Sequence, residues 1–221
     1  MRFTRRGFGN LLLMMAALSF GACGDSTGPG SGGDGGGGGG GGGNGGGGGG
    51  GEEPPEFPEI PPAAQIFTDD IDSENGGVGV PNYTAWSNWT VVEGCVDLHG
   101  PGAKNPLPGN GVYMDLDGTC AELGPESAGT MESKQSFDLA VGGYTLEFLI
   151  AGNNQIEQSD TVVVSVGGSM SEEIVLDWQV PLQLLSFDFT VATATNGKIR
   201  LEHKGGDEQG ILIDAVRLRR N

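Results

Sequence analysis

From residue 65 onward the chain alternates apolar and polar side chains with a period of two, the spacing at which one face of an extended strand is buried. Tyr144, Leu146, Phe148 and Ile150 alternate with Thr145 and Glu147. Val162, Val164 and Val166 alternate with Thr161, Val163 and Ser165, and Leu185, Phe187, Phe189 and Val191 alternate with Ser186, Asp188 and Thr190. Runs of this kind, broken by glycine, asparagine and proline, predict strands joined by tight turns. Further strands are predicted over Ile66 to Ile71, Trp89 to Val92, Val96 to His99, Val112 to Leu116, Gly129 to Leu139, Glu173 to Trp178, Lys198 to Glu202 and Ile211 to Leu218. No stretch sustains helical spacing. Roughly ten strands in about 155 residues, each with one apolar face, bury those faces most economically as two stacked sheets. The expected fold is all-β, a two-sheet antiparallel β-sandwich. A jelly roll is expected over an immunoglobulin-like sandwich, because the core tryptophan flanked by two bridged cysteines is missing.

The first 63 residues follow other rules. Arg2, Arg5 and Arg6 precede an apolar stretch from Leu11 to Phe20 and the small pair Gly21-Ala22, which reads as a bacterial export signal over residues 1–22. That stretch is too short for a bilayer span, which takes about twenty apolar residues. Thr4-Arg5-Arg6-Gly7-Phe8 is similar to the twin-arginine export motif. Phe20-Gly21-Ala22-Cys23 resembles a lipobox, which implies acylation of Cys23 and a lipoprotein anchored to the bacterial membrane or cell surface. From Gly28 to Gly51 the chain is nearly all glycine and offers no side chains for a core. Residues 23–63 are therefore expected to form a disordered tether with a typical reach of roughly 35 Å, stiffened from Glu52 to Pro62 by alternating acids and prolines. Residues 64–221 are expected to be one domain.

Twenty-nine acids against eleven bases give a net charge of −18. Removing the signal takes away Arg2, Arg5 and Arg6, which leaves eight bases and a net charge of −21. Nucleic acid and anionic lipid surfaces are repelled by such a chain, so membrane contact is expected only through the N-terminal lipid. With Cys23 acylated, Cys95 and Cys120 remain, outside the reducing cytosol, and are expected to form a disulfide. Zinc is disfavoured. It needs four donors, and His99 and His203 stand at no ligand spacing from a cysteine. Both histidines are expected at strand edges on the surface.

Several segments, in order, carry a family resemblance: Phe67-Thr68-Asp69-Asp70-Ile71-Asp72-Ser73-Glu74-Asn75-Gly76-Gly77, Asn82-Tyr83, Asn88-Trp89-Thr90-Val91 and Val96-Asp97-Leu98. They are followed by Gly109-Asn110-Gly111-Val112-Tyr113-Met114-Asp115-Leu116-Asp117-Gly118, Gly143-Tyr144-Thr145-Leu146, Leu149-Ile150-Ala151-Gly152, Gly205-Gly206-Asp207 and Gly210-Ile211-Leu212-Ile213-Asp214-Ala215-Val216-Arg217-Leu218. Together they resemble the extracellular β-sandwich proteins often carried on PEP-CTERM sorting tails, which look like galactose-binding jelly rolls and carbohydrate-binding modules. The chain departs from that pattern at its end, Arg219-Arg220-Asn221, and in its cysteine pair. The resemblance implies a non-catalytic surface module that binds glycan, such as exopolysaccharide or wall polymer.

It also implies candidate sites. In carbohydrate-binding jelly rolls, acids near the first strand and on the last strand commonly hold a structural calcium, and Asp70, Asp72, Glu74 and Asp214 stand at comparable places here. The alternative for these acids is a solvated turn and a strand-end cap. Sugars are usually met by an aromatic ring beneath the pyranose and by amides that reach its hydroxyls. Trp86 and Trp178 are the candidate rings and Asn153 and Asn154 the candidate amides, beside Gln155 and Gln158 in the same polar loop; Tyr83 and Trp89 are assigned to the core. No Gly-x-Ser-x-Gly elbow appears, and no carboxylate pair stands out for glycoside hydrolysis. No catalytic residues are expected. The other readings are a matrix protein with no small ligand and, more remotely, a glycan-active hydrolase.

Overall fold

Val162, Val164 and Val166 carry branched side chains that suit a pleated, half-covered surface, and in the computed structural model they form the buried face of a strand. The structure describes residues 55–101, 107, 111–120, 128–155 and 157–221. The export signal, Cys23 and the tether up to residue 54 lie outside the described residues. Among the described residues are no α-helices and the strands β1 (Gln65–Asp69), β2 (Trp89–Glu93), β3 (Asp97–His99), β4 (Tyr113–Asp115), β5 (Thr130–Ser133), β6 (Phe137–Leu139), β7 (Gly142–Ala151), β8 (Ser159–Val166), β9 (Met170–Asp177), β10 (Gln183–Val191), β11 (Thr195–Gly197), β12 (Ile199–Lys204) and β13 (Leu212–Arg220).

One sheet has the order β10-β7-β13-β4-β3, with β1 also paired to β13, and the other has the order β2-β5-β12-β8-β9. Each of these pairings is antiparallel, and β6 and β11 form a separate ribbon. The chain crosses repeatedly from one sheet to the other, and the expected two-sheet sandwich is the fold found. Its core joins the inner faces, with Phe67 edge-on to Trp89 and Phe137 at centroid distances of 5.7 and 5.4 Å. Cys95 and Cys120 form the expected disulfide, with Cα atoms 5.9 Å apart.

β13 runs the length of the sandwich and defines its two ends. Gln65, where β1 begins, pairs with Arg219, whereas Leu212 at the other end of β13 pairs with Ala151 and Asp115. The chain therefore enters at one pole, and the loops that follow β7 and β12 lie about 25–30 Å away at the other, nine residues of extended backbone along. The packed domain begins earlier than Ala64. Arg217 Nη1 donates to the Pro58 carbonyl at 2.8 Å, and its guanidinium lies 4.5 Å from the Phe57 ring centroid. Under this strap Arg217 Nε donates to Glu147 at 2.6 Å, and Glu147 is buried. The alternation had placed Glu147 and Thr145 on a wet face; coverage by the neighbouring strands and the strap closes it.

Two further expectations change. The strand expected over Gly129 to Leu139 breaks after Ser133, whose hydroxyl donates to the Gln135 carbonyl at 2.7 Å, so β5 and β6 join different partners. His203 is a core residue, not a surface one. It follows Ile199 and Leu201 on the inward face of β12 at the strand period of two.

Candidate functional site

Two buried carboxylates at the pole remote from the chain entry hold the loops there in place. Asp115 Oδ1 accepts the N–H of Asp117 at 3.1 Å and of Gly210 at 2.7 Å, while its Oδ2 accepts the Asn153 amide at 2.9 Å. Asp117 Oδ2 accepts the N–H of Asp207 at 2.7 Å and of Glu208 at 3.2 Å. Carboxylates at and just beyond β4 thus fix the loop between β12 and β13 and the start of the loop after β7. Only glycine fits at 210, because a Cβ there would lie 2.4 Å from the Asp117 nitrogen and 2.9 Å from Asp115 Oδ1. Glu208 is held at φ 69°, a left-handed conformation uncommon for its residue type.

Beside this scaffold opens a cleft of about 610 Å³, within the roughly 300–1,000 Å³ common for ligand pockets. Val78, Pro81 and Pro101 give it apolar walls, and His99, Gln155 and Glu208 give it polar ones. Its floor forms where Gly79 and Gly100 cross so closely that a Cβ on either would sit 2.8 or 2.7 Å from the other's nitrogen. Asp97 and Thr119 also line it. Asp97 Oδ1 accepts the N–H of Asn82 and Thr119 at 2.6 and 3.0 Å, and its Oδ2 accepts the Thr119 hydroxyl at 2.9 Å. The disulfide brackets this pair, since Cys95 lies two residues before Asp97 and Cys120 directly follows Thr119.

So many acids in one place shift their protonation. Burial pushes Asp115 well above the ordinary carboxylate value, and the charges of Asp97 and Asp117 add to the shift against the hydrogen bonds that oppose it. Asp160, at the start of β8, is pushed up to about 6 by burial and then by Asp207 and Asp117. The Gln158 amide lies between Asp160 and Asp207 and donates to both. Burial lowers His203 and His99, and nearby acids oppose both shifts. Burial also pushes Tyr113, whose ring meets His99 edge-on, up to about 12.

The residues singled out in the sequence are dispersed. Trp86 is fully buried, with its Nε1 donating to the Tyr83 carbonyl at 2.7 Å, so it packs the core and offers no face to a sugar. Asn153 is buried on Asp115 and is likewise part of the scaffold. Trp178, half-buried, stands at the cleft pole, where its N–H donates to the Gln158 carbonyl at 3.0 Å, and Asn154 is exposed in the neighbouring loop. Among the four acids expected at calcium, Asp70 is exposed and Asp72 accepts the N–H of Gly111 and Val112 at 3.1 and 3.2 Å. Glu74 accepts Ser87 N–H at 2.6 Å and the Tyr83 hydroxyl at 3.4 Å. Asp214 sits on β13 at a bulge, and its charge bears on Tyr113. Among the described residues no group of three or more His, Cys, Asp or Glu side chains is placed to hold a metal ion. Sequence reasoning missed Val78, Pro81, His99 and Glu208 as cleft residues. The one available signal was Gly205-Gly206 and Gly210 around Asp207-Glu208, a loop built for close approach.

Several solved structures are similar to this chain. A family 35 carbohydrate-binding module from Clostridium thermocellum is 14% identical, with 70% of this chain and 98% of that one covered and a TM-score of 0.41. The CBM22-1 and GH10 modules of an endo-1,4-β-D-xylanase from the same organism, complexed with xylohexaose, are 15% identical, with 72% and 28% covered and a TM-score of 0.42. An exo-β-1,3-galactanase from Phanerochaete chrysosporium is 14% identical, with a TM-score of 0.37; the match covers 63% of this chain and 29% of the galactanase. At these values no ligand or activity transfers to this chain. No protein-family model matches the sequence, and none of the curated proteins does. The fold itself defines the class: an antiparallel two-sheet β-sandwich with a mixed-polarity cleft at one pole.

Proposed function

We propose that this chain is a non-catalytic surface module that binds glycan in the cleft, held to the membrane by an acylated Cys23. The observation that carries this reading is the cleft's composition and place. Val78, Pro81 and Pro101 offer apolar surface for a sugar's C–H face and Gln155 and Glu208 reach its hydroxyls. The cleft lies at the pole opposite the one where β1 begins. The carboxylates of Asp115 and Asp117 hold backbone N–H groups of the surrounding loops, a structural use that favours binding over hydrolysis. The test is titration of the intact chain with a panel of oligosaccharides, followed by amide chemical shifts. Shifts gathered on β3, Gln155 and residues 205–210, and weakened at least tenfold by Val78→Lys, are expected. Shifts confined to other surfaces, or turnover of a chromogenic glycoside, would refute it.

A further inference from the structure

We infer that the cleft selects glycans carrying free ammonium groups, that is polymers of amino sugar without N-acetylation, over neutral glycans, and rejects uronate or phosphate-bearing ones. The inference rests on the glycan-binding reading above and assigns that site its ligand charge. Acids gather at the Leu212 end of β13. Asp97, Asp115, Asp117, Asp160, Asp207 and Glu208 gather at the cleft pole, tied by the hydrogen bonds and mutual charge effects described above. Arg219 and Arg220 lie at the pole where the chain enters, and Lys198 lies at the far end of β12 from Lys204. Lys204 is close to the acidic pole in sequence but is engaged by Glu202.

Among the described residues that line the cleft there is no lysine or arginine. Burial also holds His99 below its ordinary value, so it offers no offsetting cation at neutral pH. Glu208 is the carboxylate available for contact. Its side chain is exposed at the cleft, and its backbone is preset by the Asp117 bond, so little freedom is lost when a ligand pairs with it. Asp97 is already engaged by Asn82 and Thr119 and acts as a fixed negative charge in the wall. Unit charges about 4 Å apart in such a part-open site correspond to roughly tenfold in affinity, attractive for an ammonium and repulsive for a carboxylate. Added salt should erode both effects.

The experiment is calorimetric titration of the intact chain with three matched oligosaccharides: a glucosamine oligomer, its fully N-acetylated form and an oligogalacturonate. It is run at a pH where the amine is protonated, at low and high salt. Expected are an amine preference of about tenfold over the neutral form, no measurable uronate binding, and a several-fold fall of the preference in Glu208→Gln with the melting temperature unchanged. Equal affinity for amine and neutral forms, tight uronate binding, or a preference that Glu208→Gln leaves intact overturns the charge assignment while the glycan reading stands. Failure of all three oligomers to bind overturns both.

Discussion

Asp117→Ala tests whether the acids behind the cleft build it. The carboxylate is fully buried and accepts two N–H groups of the loop between β12 and β13, at 2.7 and 3.2 Å. Each hydrogen bond to a charged group contributes about 1.5–3 kcal/mol. Two effects reduce the sum: Asp207 and Glu208 are exposed, so their freed N–H groups can take water, and removing this charge relieves Asp115 and Asp160. A net loss of about 2–3 kcal/mol follows, or roughly 5–10 °C in melting temperature for a domain of this size. Asp117→Asn keeps an acceptor oxygen and should lose less than half of that. Amide hydrogen exchange separates a local from a global effect. In the alanine variant the amides of residues 207–210 should exchange at least tenfold faster, while those at the centre of β8 follow only the global loss. If the loop amides kept their protection relative to β8, the loop would be holding itself and the scaffold assignment would fail.

Three other outcomes are expected. The folded-state pKa of Asp160 is raised to about 6 from an ordinary 3.8, so the folded state takes up the proton first and stability is lost as pH rises through about 6. Urea melts at pH 5 and pH 8 should show the wild type losing about 1 kcal/mol or less, after a discount for partial exposure, that Asp160→Asn does not lose; His203, shifted the other way, is common to both proteins and cancels. Replacing Cys95 and Cys120 by alanine opens a loop with a sequence separation of 25 and should cost about 3.5 kcal/mol in a urea melt; a loss below about 1 kcal/mol would show that the hydrogen bonds of Asp97 and Thr119 already fix that loop. Trp86→Ala should destabilise by about 3–5 kcal/mol, and Trp178→Ala, half-buried at the pole, by about 1 kcal/mol or less; the reverse order would contradict their placement.

The fold was legible because alternation in β8, β9 and β10 tracks burial on one face, a signal set by local geometry. Alternation misplaced Thr145 and Glu147, because β7 is covered on both faces by distant segments that no local pattern announces. It also carried the true place of His203, two residues beyond Leu201 in an inward series, but a titratable side chain reads as surface unless its period is followed through. Trp86 and Trp178 look alike in sequence, each beside polar or turn residues. One packs inside the core, with its Nε1 satisfied locally by the Tyr83 carbonyl, and the other stays half out, a difference created by packing between the sheets. The cleft was the least legible part, since its walls come from residues 77–81, 97–101, 119, 155 and 208, which only the finished sandwich brings together.

That dispersal explains why several buried carboxylates stand here. A cleft assembled from separate loops needs acceptors that reach several backbones at once, and a carboxylate with two oxygens can take three donors, as Asp115 and Asp97 each do. Each carboxylate brought in for this purpose adds negative potential to its neighbours, a smaller contribution that joins burial in raising Asp115 and Asp160. N–H donors compensate that charge where they bind it, but as dipoles they do not cancel it at the distance of the open cleft. The residues that give the cleft its shape therefore also give it its sign, so neutralising them one at a time should weaken loop order and ammonium preference together, whereas Glu208→Gln should lower the preference and leave loop order unchanged.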